Sequence, residues 1–221
     1  MIDLPDFESS FEYENNYFLS CNPSRIAKLI AHYNFFEKTK EIEGSIVECG
    51  VFKGSSLSRF AMFRKLLNLE YKKIVGFDTF SSFPETNFEQ DKDMRSNFIN
   101  IAGQESISVD QLLTVLEKKK CDNNIELIEG DITQTVPKYV ENNCDLRISL
   151  INLDVDIFEP TEVILKHFYP RLWFGGIMIL DDYKKFIGET VAVDDYFKDK
   201  NITIQEPIYP NTPHYIIKKS T

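Results

Sequence analysis

Five short apolar runs, each followed by an amphipathic stretch and each with a carboxylate at or near its end, constrain this chain more than any other feature. The runs are Ser45–Val51 (Ser-Ile-Val-Glu-Cys-Gly-Val), Lys73–Asp78, Ile125–Asp131, Ile148–Asp154 and Gly176–Asp181. Each has the length and β-branched content of a buried strand. Between them, apolar residues recur at helical spacing, as in Leu57, Phe60, Ala61 and Leu67, or Leu112, Leu113, Val115 and Leu116. The spacing predicts helices over Ser55–Leu69, Val109–Lys119, Thr161–Tyr169 and Val191–Lys198, with another capped by Thr133. An earlier helix is expected to start at Ser24, carry Ile26, Leu29, Ile30, Tyr33 and Phe36, and stop at Gly44. Strands alternating with helices fold as a parallel sheet covered on both faces.

Two last runs, Ile202–Glu206 and Tyr215–Lys218, flank a stretch holding Pro207, Pro210, Asn211 and Pro213. With no helix between them they predict an antiparallel edge hairpin, and so a seven-stranded sheet. At 221 residues and 43% hydrophobic, the chain can bury one such core. Residues 1–23, polar and aromatic by turns, read as an irregular arm, and 24–221 as a single domain. Residues 81–105, polar with isolated aromatics, read as a long lid loop. The aromatic arm is a candidate for self-association into a homo-oligomer.

The net charge is −10, which argues against nucleic acid and anionic membrane as partners, since both need a basic footprint. Cys21, Cys49, Cys121 and Cys144 lack metal-ligand spacing, and the first residues lack a basic and apolar leader. A cytoplasmic protein is the expectation. His32 and His167 fall in helical patterns and read as packing or surface residues. No Ser/His/Asp set or nucleophilic cysteine motif is visible, so covalent catalysis is not expected.

Open α/β sheets bind ligands beyond the carboxyl ends of their strands. Those ends carry Glu48 and Gly50, then Asp78, Asp131, Asp154 with Asp156, and Asp181 with Asp182. Gly50 permits a bend of positive φ, and Gly54 would let a ligand approach the next helix. The spacing is neither a dinucleotide fingerprint nor a P-loop. Asp78 suits the hydroxyls of a ribose, and Asp131 would lie beside an adenine unless it only caps the next helix. Alternation puts Asp154 and Asp156 on one face, and adjacent strands bring Asp181 and Asp182 towards Asp154. Such a group of carboxylates, without His or Cys, calls for a hard cation, Mg²⁺ or Ca²⁺.

Read together, Val47-Glu48-Cys49-Gly50-Val51-Phe52-Lys53-Gly54 and Gly76-Phe77-Asp78-Thr79-Phe80-Ser81-Ser82-Phe83-Pro84 resemble the macrocin O-methyltransferase family. Leu153-Asp154-Val155-Asp156, Tyr169-Pro170 with Gly175-Gly176, Leu180-Asp181-Asp182-Tyr183 and Ala192-Val193-Asp194-Asp195 extend that resemblance over residues 24–218. It implies a Rossmann-like class I methyltransferase fold that uses S-adenosylmethionine and Mg²⁺ to methylate a hydroxyl of a sugar-containing small molecule. By the same resemblance, Glu48, Gly50, Gly54 and Ser55 would hold the methionine part, Asp78 the ribose, and Asp131 would lie by the adenine. Asp154, Asp181 and Asp182 match the metal positions. Asp156 or Asp181 is the candidate base, because Ile157 stands where catechol-type relatives place a lysine. A nicotinamide-dependent sugar oxidoreductase and a non-catalytic nucleotide-binding scaffold are the competing readings.

Overall fold

The computed structural model describes residues 2–219. Its strands are β1 (Ser45–Cys49), β2 (Ile74–Asp78), β3 (Ile125–Glu129), β4 (Ile148–Leu153), β5 (Leu172–Leu180) and β6 (His214–Ile217). They form one sheet of order β3-β2-β1-β4-β5-β6, in which only β6 runs antiparallel to its neighbour. The chain winds outward from β1 to β3, then crosses back to β4. The sheet therefore reverses direction between β1 and β4, where an α/β sheet opens a crevice. β1, β2 and β4 are buried almost throughout, consistent with their near-continuous apolar runs.

The helices are α1 (Ser10–Ser20), α2 (Pro23–Thr39), α3 (Ser55–Leu66), α4 (Lys92–Ala102), α5 (Val109–Lys118), α6 (Ile132–Asn142), α7 (Phe158–Phe168) and α8 (Ile187–Phe197). Two apolar cores sandwich the sheet. Phe35, Phe36, Leu57, Phe60, Leu112 and Leu116 of α2, α3 and α5 meet Ile46, Ile74, Leu150 and Ile179 on one face. Val136, Tyr139, Ile164, Phe168, Val193 and Phe197 of α6, α7 and α8 meet Val47, Phe77, Ile151 and Leu180 on the other. The alternation along β1 thus aims Val47 and Cys49 one way and Ile46 and Glu48 the other.

Four expectations need correction. The sheet has six strands, not seven, because 202–206 pairs only through a single Gln205–Tyr215 bridge. On the turn side, the next hydrogen-bonded pair of that ladder would fall on Pro207 and Pro213, and neither has an N–H to donate. The arm is helical rather than irregular, and α1 buries none of its residues, with Phe11 77% and Leu19 86% exposed. The expected lid loop contains α4, and its ends are tied together by Phe83 N to Gln104 O at 3.0 Å and Ser106 N to Ser81 O at 2.6 Å. Finally α2 is capped by Asn22, whose side chain accepts from Ser24 N, with Pro23 at its first position. No helix among the described residues is long and apolar enough to cross a membrane.

Candidate active site

A cavity of about 980 Å³ opens at the carboxyl ends of the strands, a volume suited to a small-molecule site. The reversal point supplies its floor. Gly50 ends β1 at φ +89, and a Cβ there would stand 1.6 Å from the carbonyl oxygen of Asp154. No side chain fits where the two strand ends meet so closely. Gly50 therefore bends the chain away between β1 and α3. Gly54 serves a different purpose from the one expected. Its added Cβ would meet Leu112 of α5 at 2.9 Å, so it admits a helix and not a ligand, and it does not line the cavity.

The first half of the floor is a set of satisfied carboxylates. Asp78 Oδ2 accepts from Val51 N at 2.8 Å and Phe52 N at 2.9 Å. Its Oδ1 accepts from Phe80 N at 2.8 Å, and the hydroxyls of Ser106 and Thr79 lie 3.1 and 3.3 Å away, each closer to a backbone carbonyl, Phe52 O at 2.6 Å and Ser82 O at 2.9 Å. Phe52 and Phe80 both hold positive φ, at 49° and 50°, a strained backbone for a bulky residue. Both amides are anchored on this one carboxylate, so Asp78 fixes the turn as well as lining the cavity. Asp131 lines the cavity too, and it also caps α6, accepting from Thr133 N and Thr133 Oγ1 at 2.8 Å each. Asp131, not Thr133, is thus the cap. Ser55 lines the cavity at the start of α3.

Glu48 lies beneath this floor, fully buried and off the cavity lining. Its Oε1 accepts from Asn152 Nδ2 at 3.0 Å and from the Ser56 hydroxyl, while its Oε2 is buried without a partner. Burial pushes its carboxyl up to about 7, against the pull of those two hydrogen bonds.

The second half is crowded with like charge. The carboxylates of Asp154, Asp156 and Asp182 bring ligand atoms within 4.8 Å of one another. β4 and β5 pair Leu153 with Leu180, and Asp181 N donates to Leu153 O at 3.0 Å, which sets the two acidic loops side by side. Asp156 reaches the group through a tight turn, with φ +63 and Ile157 N donating to Val155 O at 2.6 Å, rather than along the strand's pleat. Burial, then repulsion from Asp181, raises the Asp154 carboxyl well above the usual range. Burial and the adjacent Asp182 do the same for Asp156, and Asp182 is raised by burial and Asp181. Glu189, fully buried on α8, lies under them and is raised by burial and Asp182.

Asp181 is arranged differently. Its Oδ2 takes a 2.6 Å ion pair from Lys28, and His32 Nε2 lies 3.8 Å from its Oδ1. Burial alone would raise its carboxyl, yet the Lys28 ammonium holds it below the usual range. The same ammonium stands 3.8 Å from Asp154, so it bridges two of the three carboxylates expected to hold a cation. A hard divalent ion fits Asp154, Asp156 and Asp182, whose oxygens are close and whose repulsion is incompletely offset, whereas the expected ligand Asp181 stands outside that group, paired to Lys28. Lys185 adds one further charge, 3.7 Å from Asp182.

Sequence reasoning missed Lys28, His32, Glu189 and Lys185 as parts of this site. Lys28 and His32 are four residues apart, so they share the face of α2 that carries Phe35 and Phe36 into the core. A polar pair leading into an apolar stripe was the available signal. His32 is fully buried and stacks on Phe60 at 5.2 Å between ring centroids. Burial lowers its imidazole to about 4, so it is neutral at pH 7.

The sequence model described as Macrocin-O-methyltransferase (TylF) matches residues 24–210. Among curated proteins, the chain is 27% identical over 146 residues to 8-demethyl-8-(2,3-dimethoxy-alpha-L-rhamnosyl)-tetracenomycin-C 4'-O-methyltransferase of Streptomyces olivaceus, covering 64% of this chain and 54% of that one. It is 24% identical over 148 residues to Mycinamicin III 3''-O-methyltransferase of Micromonospora griseorubida, covering 64% and 56%. The chain spans about half the length of the curated relatives it matches. A solved calicheamicin methyltransferase superposes with a TM-score of 0.76 at 26% identity, over 94% of this chain and 85% of that one. The O-methyltransferase NovP gives 0.76 at 19% identity, over 88% and 81%, and shares the fold.

Proposed function

Since this chain belongs to the macrocin O-methyltransferase family, we propose that it transfers a methyl group from S-adenosylmethionine to a hydroxyl of a sugar-bearing small molecule. The observation that carries the reading is the single cavity that joins the Gly50 turn and Asp78 to Asp154, Asp156, Asp181 and Asp182. A donor site and an acidic acceptor site open into one space. The relative from Streptomyces olivaceus is named for methylating a rhamnosyl-bearing tetracenomycin, which supports the acceptor class.

In this proposal Asp78 and the Gly50 turn bind the adenosyl and methionine parts, with Ser55 at the start of α3 and Asp131 near the base. Ser106 and Thr79, whose hydroxyls have shorter partners in Phe52 O and Ser82 O, would leave Asp78 Oδ1 room for a ribose hydroxyl. By the family resemblance Asp154, Asp181 and Asp182 would hold a hard divalent ion; Asp154 and Asp182 already lie close to one another and to Asp156, while Asp181 would have to exchange Lys28 for the ion. Such an ion lowers the pKa of an acceptor hydroxyl and fixes its direction. Asp156 takes the hydroxyl proton at its carboxylate, because Asp181 is tied to Lys28 and is the weaker base. Positioning both reactants in one enclosed space supplies much of the acceleration.

A thermal-shift screen with S-adenosylmethionine, S-adenosylhomocysteine and NAD, with and without Mg²⁺, tests the reading. The two adenosyl ligands are expected to raise Tm and NAD to leave it unchanged. A rise with NAD alone would favour the oxidoreductase reading instead. No response to any of the three would overturn the methyltransferase reading.

A further inference from the structure

Both acidic loops lead straight into helices: β4 through residues 154–157 into α7, and β5 through residues 181–186 into α8. The first N–H groups of a helix have no partner inside it and must be met from outside. Here one side chain meets one from each helix. Asp91, in the short turn before α4, is fully buried. Its Oδ2 accepts from Phe158 N at 2.9 Å and its Oδ1 from Gly188 N at 2.8 Å. Gly188 has no room for anything larger than hydrogen, because a Cβ there would stand 1.9 Å from Asp91 Oδ2. The contact is close on both sides.

The clamp has a counterpart within the loops. Glu189 N donates to Asp156 O at 3.3 Å, and the Glu189 side chain accepts from Asp182 N at 3.2 Å. The start of α8 therefore holds the backbone of both loops, and Asp91 holds the start of α8 to the start of α7. The segment that carries Asp91 is itself secured from α7. Glu159 accepts from Thr86 Oγ1 at 2.9 Å, Asn87 N at 2.7 Å and Phe88 N at 3.2 Å. The carboxylates of Asp154, Asp156 and Asp182 repel one another, and their loops would relax apart if nothing opposed it. A charge-assisted hydrogen bond at each end of a two-point brace opposes it.

We propose that Asp91 is a positioning residue for the acidic site, bracing the openings of α7 and α8 so that the two aspartate loops keep one spacing. It touches neither reactant and acts through the loops. The inference rests on the proposed function for its catalytic meaning, but the brace itself can be measured without it.

The test compares wild type with D91N, D91A and G188A. Asn keeps one acceptor oxygen, Ala keeps none, and the added methyl of G188A pushes the carboxylate off its amides. Hydrogen exchange over residues 153–158 and 181–189, in metal-free protein, is expected to quicken at least about tenfold in D91A, with D91N between it and wild type. Exchange across 50–54 is expected to stay unchanged. Mn²⁺ affinity, by calorimetry, should fall about tenfold or more while S-adenosylmethionine affinity stays within about threefold. In turnover, kcat should fall with the KM for S-adenosylmethionine unchanged. If D91A does not fold, D91N and G188A carry the comparison. Folded variants with a lower Tm but wild-type exchange in both loops would overturn the inference. If wild type itself binds no Mn²⁺, the metal reading fails, and the exchange data alone decide for or against the brace.

Discussion

The two halves of the cavity floor are both built from carboxylates at strand ends, and they handle that charge in opposite ways. At β1 and β2, Asp78 accepts from three backbone amides, with the hydroxyls of Ser106 and Thr79 beside it. It stabilises the turn whether or not a ligand is present. At β4 and β5, Asp154, Asp156 and Asp182 face one another, and Lys28 and Lys185 offset only part of the repulsion. A satisfied carboxylate is part of the scaffold, whereas a crowded one stores unfavourable charge that a cation would relieve. The difference separates a half whose carboxylate is met by backbone amides from a half whose carboxylates are only partly offset.

The largest effect should come from the crowded half. Chelation with EDTA is expected to abolish methyl transfer and Mg²⁺ to restore it. D182A should lower turnover by about 10³-fold or more, the scale of losing several kcal/mol of charge stabilisation, with S-adenosylmethionine affinity little changed. D156N keeps the shape and should cost ~10²–10⁴-fold in turnover, the usual worth of a general base. A Mn²⁺ titration of D156N beside D181N then separates base from ligand. Full activity in EDTA would erase the contrast between the halves.

A smaller effect is expected in the satisfied half. D78A should weaken S-adenosylmethionine binding by about 1.5–3 kcal/mol, the scale of hydrogen bonds to a charged group. It should also lower Tm, because Val51, Phe52 and Phe80 lose their acceptor. Loss of affinity with no loss of stability would show that the turn does not depend on Asp78. Calorimetry and a melting curve on one sample decide it.

An effect on stability alone concerns Glu48, beneath both halves. Its carboxyl is raised by burial from 4.5 to about 7, so the folded state holds a proton that the unfolded chain releases. Below pH 4.5 both states are protonated and there is no penalty. As pH rises towards 7 the folded state loses stability, and above it the loss is complete. E48Q does not titrate, so its stability relative to wild type should improve by about 3 kcal/mol between pH 4 and pH 8. Urea denaturation at the two pH values measures this. A difference independent of pH would mean that the burial of Glu48 is offset by its neighbours.

The same division governs what could be read without coordinates. The features of the satisfied half are local: a glycine after a strand, an aspartate at the next strand end, a cap at the next helix. Gly50, Asp78 and Asp131 accordingly stand at the cavity where their spacing put them. Gly54 shows the limit of that reading, since its neighbour is Leu112 from a helix more than fifty residues away. The acidic site depends on contacts between distant segments. Lys28 joins Asp181 across 153 positions, and Asp91 joins Gly188 across 97.

Alternating strands and helices, the two buried faces and the carboxylates at five strand ends were determined by the sequence itself, because periodicity and turn chemistry act over a few residues. The edge was decided by tertiary structure, where Pro207 and Pro213 leave one bridge in place of a seventh strand. So was the membership of the acidic group. Strand order set β4 beside β5, the turn at Asp156 swung that carboxylate inward, and α2 delivered Lys28 to Asp181. Charges at strand ends interact over a few ångströms, and only the packing of α2, α7 and α8 fixes distances on that scale.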